Sequence, residues 1–251
     1  LRRIAPTIHY AIAQNNNHGT SEAAALFIGG SWLTALGALD GEKYEKLGRK
    51  WLEDRASKLV EKDGSFSQYS PNYHRMVLDT FSIVEVWLRR LNLQHLSPAF
   101  YNSAAQATSW LYQMVSSVSG DGPNLGANDG SLLLQLTDSS YRDFRPSVQL
   151  ASNLFRGHRA YTNNGLWDSH LAWIGIVNEG PSSAQYVNCD YDLGGYKILR
   201  SEDAVVIFHF PRFRYRPSQA DAMHIDLWVN GTNLLVDAGS YSYNSTPDLS
   251  G

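Results

Sequence analysis

Near Asn163 the chain changes texture, and no other feature constrains its fold so sharply. Before that point apolar residues recur at helical spacing. Arg2 to Ala13 reads as a helix, and Ser21 to Leu39 is apolar and Ala-rich, with Thr20 or Ser21 as N-cap and Glu22 in its first turn. Gly41 to Val60 gathers Tyr44, Leu47, Trp51, Leu52, Leu59 and Val60 on one side. Ser70-Pro71 opens a helix to about Leu91, and Pro98 opens another to about Val118. After a Gly-rich loop from Gly120 to Gly130, Ser131 to Leu136 and Ser147 to Phe155 read as shorter helical pieces.

Beyond Asn163 the runs are short, β-branched or aromatic, and separated by turn signals: Tyr196 to Arg200, Ala204 to Phe210, Met223 to Val229, Asn233 to Val236. Asn230-Gly231 between two of them is a hairpin signal. Helices followed by strands predict an α+β, multidomain chain. The expectation is a ring of helical hairpins over residues 1–163, then the start of an antiparallel sheet region over 164–251.

Composition narrows the partners. With Lys+Arg 21 against Asp+Glu 24, the net charge of -3 argues against a nucleic-acid binder. No apolar run approaches the roughly 18 residues of a membrane span. The single cysteine, Cys189, excludes an internal disulfide or a Cys-rich zinc module. A start at Leu1 inside helical sequence, and a stop at Gly251 after strand-like sequence, read as a segment truncated at both ends. Oligomeric state and localisation are not written in such a segment.

Four polar clusters interrupt the apolar background: Asn15 to Gly19; Asp63-Gly64-Ser65 with Ser70 to Arg75; Gly126 to Gly130; and Pro217 to Asp226 followed by Val236 to Tyr243. The first three lie at or near helix starts, where free N–H groups favour anions. Each has a plain alternative. Asn17 and His18 suit a cap and a turn as well as a site. Tyr73 taken alone is more often a core tyrosine. His74 lies about 100° from it around a helix, so the two cannot serve one spot. Asn128-Asp129-Gly130 is by itself a turn. His224 and Asp226 alternate on a strand and share a face, as a surface pair or as base and ligand. Arg212, Arg214 and Arg216 also alternate, giving a solvated face or a basic strip for an acidic polymer.

Taken in order, Asn16-Asn17-His18 with Glu22-Ala23, the Asp63 to His74 block, and His224-Ile225-Asp226 with Asp237-Ala238-Gly239-Ser240-Tyr241 resemble the heparinase II/III-type polysaccharide lyases. The resemblance runs from about Asn15 to Tyr243. It implies an incomplete (α/α) toroid followed by antiparallel sheets of a β-sandwich. The implied activity is β-elimination on a uronic-acid-containing polysaccharide such as a glycosaminoglycan or alginate, in a periplasmic or secreted bacterial enzyme. By motif, Asn17 and His18 neutralise the uronate carboxylate, Tyr73 is the catalytic tyrosine, and His224 is the histidine from the sheet. Tyr241 or Tyr243 corresponds to a second tyrosine of alginate-type members. His74, Asn128 and the three arginines become substrate-binding candidates. No cofactor is required for the chemistry. The resemblance also allows a structural divalent metal, zinc or calcium, near Asp226 and Asp237.

The residue types fit the reaction. Removing the proton beside a carboxylate needs donors that take up the developing charge, each contributing roughly 3 kcal/mol. It also needs a base, and an acid for the leaving oxygen. Tyr73 can fill either role and His224 is its natural partner; the preferred split is His224 or a tyrosinate as base and Tyr73 as acid, with substrate stereochemistry deciding it. One alternative is an inverting glycoside hydrolase, which needs two carboxylates flanking the bond; Glu22, Asp79 and Asp129 are its candidates. Another is a non-catalytic glycan binder stacking sugars on Trp32, Trp110 or Trp167.

Overall fold

The computed structural model describes residues 1–177, 180, 182, 184–215 and 219–240. Helices α1 (Ile8–Ala13), α2 (Asn17–Ala35), α3 (Gly41–Leu59), α4 (Pro71–Arg90), α5 (Pro98–Met114), α6 (Arg145–Phe155) and α7 (Ser169–Ile174) precede five strands. The strands β1 (Cys189–Tyr191), β2 (Tyr196–Arg200), β3 (Ala204–His209), β4 (His224–Val229) and β5 (Thr232–Leu235) form one antiparallel meander in chain order. Helices followed by an antiparallel sheet is the fold class expected.

Four boundaries differ from the sequence reading, each for a local reason. Residues before Ile8 are turns, so the first helix is short. Helix α2 begins at Asn17 because the Asn16 side chain accepts from His18 N and acts as the cap. Asn17 and His18 therefore lie in its first turn. The Ser131 to Leu136 segment is not helical. It is an extended connection whose Leu134 and Leu136 pack against Leu150, Leu154 and Leu171. Helical structure also continues past Asn163, through a 3-10 turn at Leu166–Asp168 and α7, where Asp168 Oδ2 accepts from Gly165 N. Strand pairing begins only at Cys189. The Asn230-Gly231 hairpin joins β4 to β5, both residues with left-handed φ of 50° and 76°, as a tight type I′ turn needs.

Two glycines explain how closely α2 and α3 approach. A Cβ on Gly30 would lie 2.2 Å from Glu45 N, and one on Gly48 would lie 2.2 Å from Phe27 N. Each helix thus lays its backbone against a bare Cα of the other. Helix α4 is starred by buried side chains on almost every face, from Tyr73 and Val77 to Phe81, Val84 and Leu88. It runs through the middle of the helical layer.

The core is continuous from helices to sheet. Phe27, Leu59, Phe81, Phe100 and Trp110 share one buried cluster with Tyr196, Ile198 and Ile207. The strand register gives the sheet two unlike faces. Tyr196, Ile198, Ile207, His209, His224, Asp226 and Trp228 turn towards one side, and Tyr196, Ile198, His209 and Asp226 are fully buried there. Leu199, Val206, Phe208, Ile225, Leu227, Val229 and Leu235 turn to the other, where none is fully buried. A ladder of stacked rings crosses the joint: His74 on Trp110 at 4.4 Å, Trp110 edge-on to Tyr196 at 5.2 Å, and Tyr196 on His209 at 4.3 Å. Below it, Asp63 Oδ2 accepts from Leu193 N and Gly194 N at 2.9 and 3.0 Å, pinning the β1–β2 turn to the helical layer.

Candidate active site

The site is assembled where the start of α4 meets the sheet. Ser70 caps α4: its side chain accepts from Tyr73 N at 3.3 Å and its hydroxyl donates to Ala127 O at 2.7 Å. With Pro71 fixing the first turn, this cap places Tyr73 one turn in, 8% exposed, with its hydroxyl donating to Asp129 Oδ2 at 3.1 Å. The start of α2 arrives from the other side. Asn17 N donates to Gln68 Oε1 at 2.7 Å, and Ser67 Oγ donates to Asn15 O at 3.0 Å. The Asn17 and Tyr73 helix starts are therefore joined through residues 67–70.

The sheet side closes on the 124–129 loop. Gly126 N donates to Asp221 Oδ2 at 2.6 Å, Asn128 N to Ser240 Oγ at 3.1 Å, and Asn124 Nδ2 to Asp237 O at 3.3 Å. Asp221 also lies 3.8 Å from His209 Nδ1, and its backbone carbonyl accepts from His224 N. His224 Nε2 stands 3.6 Å from Asp226 Oδ2, so the shared strand face expected for this pair is present. Asn17, Tyr73, Asn128 and His224 thus belong to one hydrogen-bonded neighbourhood.

Backbone strain concentrates here too. Among the described residues other than glycine, five have left-handed φ. Asn92 ends a helix and Asn230 makes the hairpin; the other three, Asn15, Tyr69 and Met223, directly precede the Asn16 cap, Ser70 and His224. Such conformations cost about 1–3 kcal/mol for side chains that do not suit them, and cluster at working sites.

Burial sets the titration of this corner. Desolvation raises the Asp226 carboxyl, though bonds from Asn233 and Trp228 oppose it. It pushes His209 down to about 4, against the pull of Asp221. Burial also raises Asp129, but hydrogen bonds from Ser131 and Tyr73 outweigh it and leave that carboxyl below its usual value.

Several expectations are corrected. His74 is not a substrate-binding residue: it is 1% exposed, stacked on Trp110, with Nε2 2.8 Å from Ala107 O. Burial drives it to about 4 and keeps it neutral. Arg212 and Arg214 do not line a strand face, because β3 ends at His209. Both are exposed, and Arg214 reaches Glu61 at 3.0 Å. Arg216, Tyr241 and Tyr243 lie outside the described residues. Trp110 is core, Trp167 lies under the Arg145 guanidinium at 4.4 Å, and Trp32 is half exposed beside Trp87. Of the hydrolase carboxylates, Asp79 is wholly buried and Asp129 is bound to Tyr73.

Asp226 and Asp237, the expected metal ligands, are both engaged in hydrogen bonds. Asp226 takes hydrogen bonds from Trp228 Nε1 and Asn233 Nδ2, and Asp237 Oδ1 takes Gly239 N at 2.7 Å. Among the described residues no three or more His, Cys, Asp or Glu side chains gather as a metal ion would require. Sequence reasoning passed over Gln68, Tyr141 and His209. Gln68 and Tyr141 carry no motif, and His209 reads as an ordinary strand end.

Residues 189–250 match the sequence profile of the family Heparinase II/III-like, C-terminal. The match lies in the sheet region of the chain. The chain's fold is that of solved relatives: the heparan sulfate lyase HepC from Pedobacter heparinus, with a TM-score of 0.66 at 17% identity over 97% of this chain. A heparinase III superposes with a TM-score of 0.68 at 18% identity over 98%. A further heparinase III gene product gives 0.69 at 14% over 97%. The chain spans 36% of the length of the first of these structures and 39% of the second. No curated protein sequence matches it.

Proposed function

We propose that this chain is part of a polysaccharide lyase, with its helices forming part of an (α/α) toroid, acting by β-elimination on an acidic, uronate-containing glycan. The observation that carries the reading is the junction just described: Asn17, Tyr73 and His224, distant in sequence, are tied through Gln68, Asp129 and Asp221 to one corner between helices and sheet. Resemblance to proteins described as heparan sulfate lyases supports the same class. No helix of the described residues is long and apolar enough to cross a membrane.

In this reading the uronate carboxylate lies against Asn17 and His18 in the first turn of α2, where amide, imidazole and the helix's positive end take up charge in the transition state. The carbon beside that carboxylate gives its proton to a base, its electron pair becomes the new double bond, and the glycosidic oxygen leaves with a proton from an acid. Tyr73 and His224 form that acid–base pair. Each side chain of such a pair typically contributes 10²- to 10⁴-fold. The basic strip is not needed, since helix starts supply the positive potential.

The test is elimination by the full-length protein on a panel of uronate polysaccharides, read as the near-ultraviolet absorbance of the unsaturated product. Tyr73→Phe and His224→Ala, each with wild-type circular dichroism, are expected to lose at least about 100-fold in kcat/KM. Full activity in both would overturn the assignment. New reducing ends without absorbance would make the protein a hydrolase.

A further inference from the structure

A cleft of about 290 Å³ opens where the end of α5 meets the sheet, and none of its lining residues belongs to the corner of Tyr73 and His224. It is bounded by the turn after α5, the β2–β3 turn and the β4–β5 hairpin, with the buried Trp228 among its lining. His224 and Trp228 lie four residues apart on β4, about 13 Å at the rise of a strand. The cleft is therefore a second place on the same face of the sheet.

Arg200, the last residue of β2, lines this cleft, and uncharged groups hold it there. Its Nη2 donates to Gln113 O, and its guanidinium lies 4.7 Å from the Tyr186 ring centre. Tyr186 is stacked in turn on Tyr112 at 4.4 Å. Gln113 fastens the same stretch: its Nε2 donates to Gln185 O at 2.7 Å and its Oε1 accepts from Val187 N at 3.2 Å. The backbone N–H of Arg200 donates to Asn188 Oδ1 at 2.7 Å. The cation is thus positioned before any ligand arrives.

What it lacks is an anion. Arg200 Nε is buried without a hydrogen-bond partner. The ionisable side chains that act on it are Tyr186, Cys189, Tyr112 and Tyr191, not one of them a carboxylate. The buried Arg55 and the largely buried Arg145, by contrast, are each paired with an aspartate. Glu202 and Asp203 line the same cleft, but both are exposed and among the described residues neither forms an ion pair. A cation taken out of water without a counter-charge is costly, and a bound carboxylate or sulfate offsets that cost through charge-assisted hydrogen bonds.

We infer that this cleft binds an acidic sugar residue, with its carboxylate or sulfate on Arg200 and its hydroxyls on Glu202 and Asp203. A bare inorganic anion would meet only repulsion from those two carboxylates, whereas a hydroxyl-rich anion brings donors for them. Ser116 lines the cleft as well; its Oγ already accepts from Val118 N and Ser119 N at 3.3 Å, so it meets a ligand as a donor. Trp228 and Ile207 supply apolar surface for the C–H face of a ring. The volume lies near the lower end of ordinary ligand pockets, roughly 300–1,000 Å³, which suits one sugar residue and not a chain. This recognition does not require the protein to be a lyase; a glycan binder would use the cleft equally.

The experiment is isothermal titration calorimetry of the full-length protein with sodium glucuronate, glucose and sodium acetate. Glucuronate is expected to bind about tenfold or more tightly than either of the others, since each lacks one half of the recognition. Arg200→Gln, with wild-type circular dichroism, is expected to weaken glucuronate by about tenfold or more. Asn17→Ala is expected to leave that Arg200-dependent binding in place, which separates the cleft from the first turn of α2. The inference is overturned if Arg200→Gln binds glucuronate as the wild type does, or if acetate binds as tightly as glucuronate. Should Arg200→Gln not fold, a wild-type crystal soaked in glucuronate decides the matter: a sugar seated on Arg200 supports the inference, and a sugar only against Asn17 and His18, or none, overturns it. Loss of the lyase reading in the elimination assay would leave the result of this titration standing.

Discussion

Replacing Asp79 by asparagine should make the chain more stable, and only above a certain pH. Asp79 lies on α4 with no exposed surface, and neither of its oxygens has a partner in good hydrogen-bonding geometry. Burial raises its carboxyl from 3.8 to about 7, with Ser147, Arg75 and the Leu134 backbone only tempering the effect. The folded value is above the unfolded one, so folding favours the protonated acid. Below about pH 4 both states hold the proton and Asp79 has no effect. Between there and about pH 7 the native state loses about 1.4 kcal/mol per unit, to a ceiling of roughly 4 kcal/mol. Asparagine has the shape of the protonated acid and no charge to desolvate. The Asp79→Asn variant should therefore gain up to roughly 4 kcal/mol over wild type at pH 8 and almost nothing at pH 4. Urea unfolding followed by tryptophan fluorescence, from pH 4 to 8, measures the difference. His74, His170 and His209, each driven to about 4 by burial, titrate alike in both proteins and cancel. A difference that stays flat across this range, whatever its size, would refute the reasoning.

Ser70→Ala removes both the cap of α4 and the bond to Ala127 O. A loss of about 1–2 kcal/mol in the same urea assay is expected, with a fall in kcat because the Asp129 loop loses an anchor. Gly48→Ala places a methyl against the Phe27 backbone and should destabilise by several times the effect of alanine at the exposed Ser57 of the same helix, measured by thermal melting. An unchanged melting temperature would mean that α2 and α3 can move apart freely.

The helix-then-strand order was legible because local signals agree with the tertiary outcome. Ser70-Pro71 and Ser97-Pro98 each start a helix with a capping serine, and Asn230-Gly231 makes its hairpin. The Ser131 to Leu136 segment was not, because its leucines are buried by neighbouring helices and not by a helix of its own. In the site, Tyr73 and the shared face of His224 and Asp226 follow from helix and strand periodicity. His74 misleads because a histidine beside a motif tyrosine looks chemical, while the 100° turn between them sends it into the core against Trp110. The arginine alternation presumed a strand that stops at His209. Contacts such as Asn17 with Gln68, or Tyr73 with Asp129, join residues about fifty positions apart, and spacing carries no trace of them.

The two faces of the sheet have a practical consequence. The face turned from the helices presents Leu199, Val206, Phe208, Ile225, Leu227, Val229 and Leu235, with Leu199, Ile225 and Leu235 about half exposed. A polypeptide prepared with that face bare would be adhesive: it would bind hydrophobic dyes, cling to chaperones and pair with copies of itself. Poor yield of such a polypeptide would then report on an uncovered sheet and carry no information about the corner of Tyr73 and His224 on its other side.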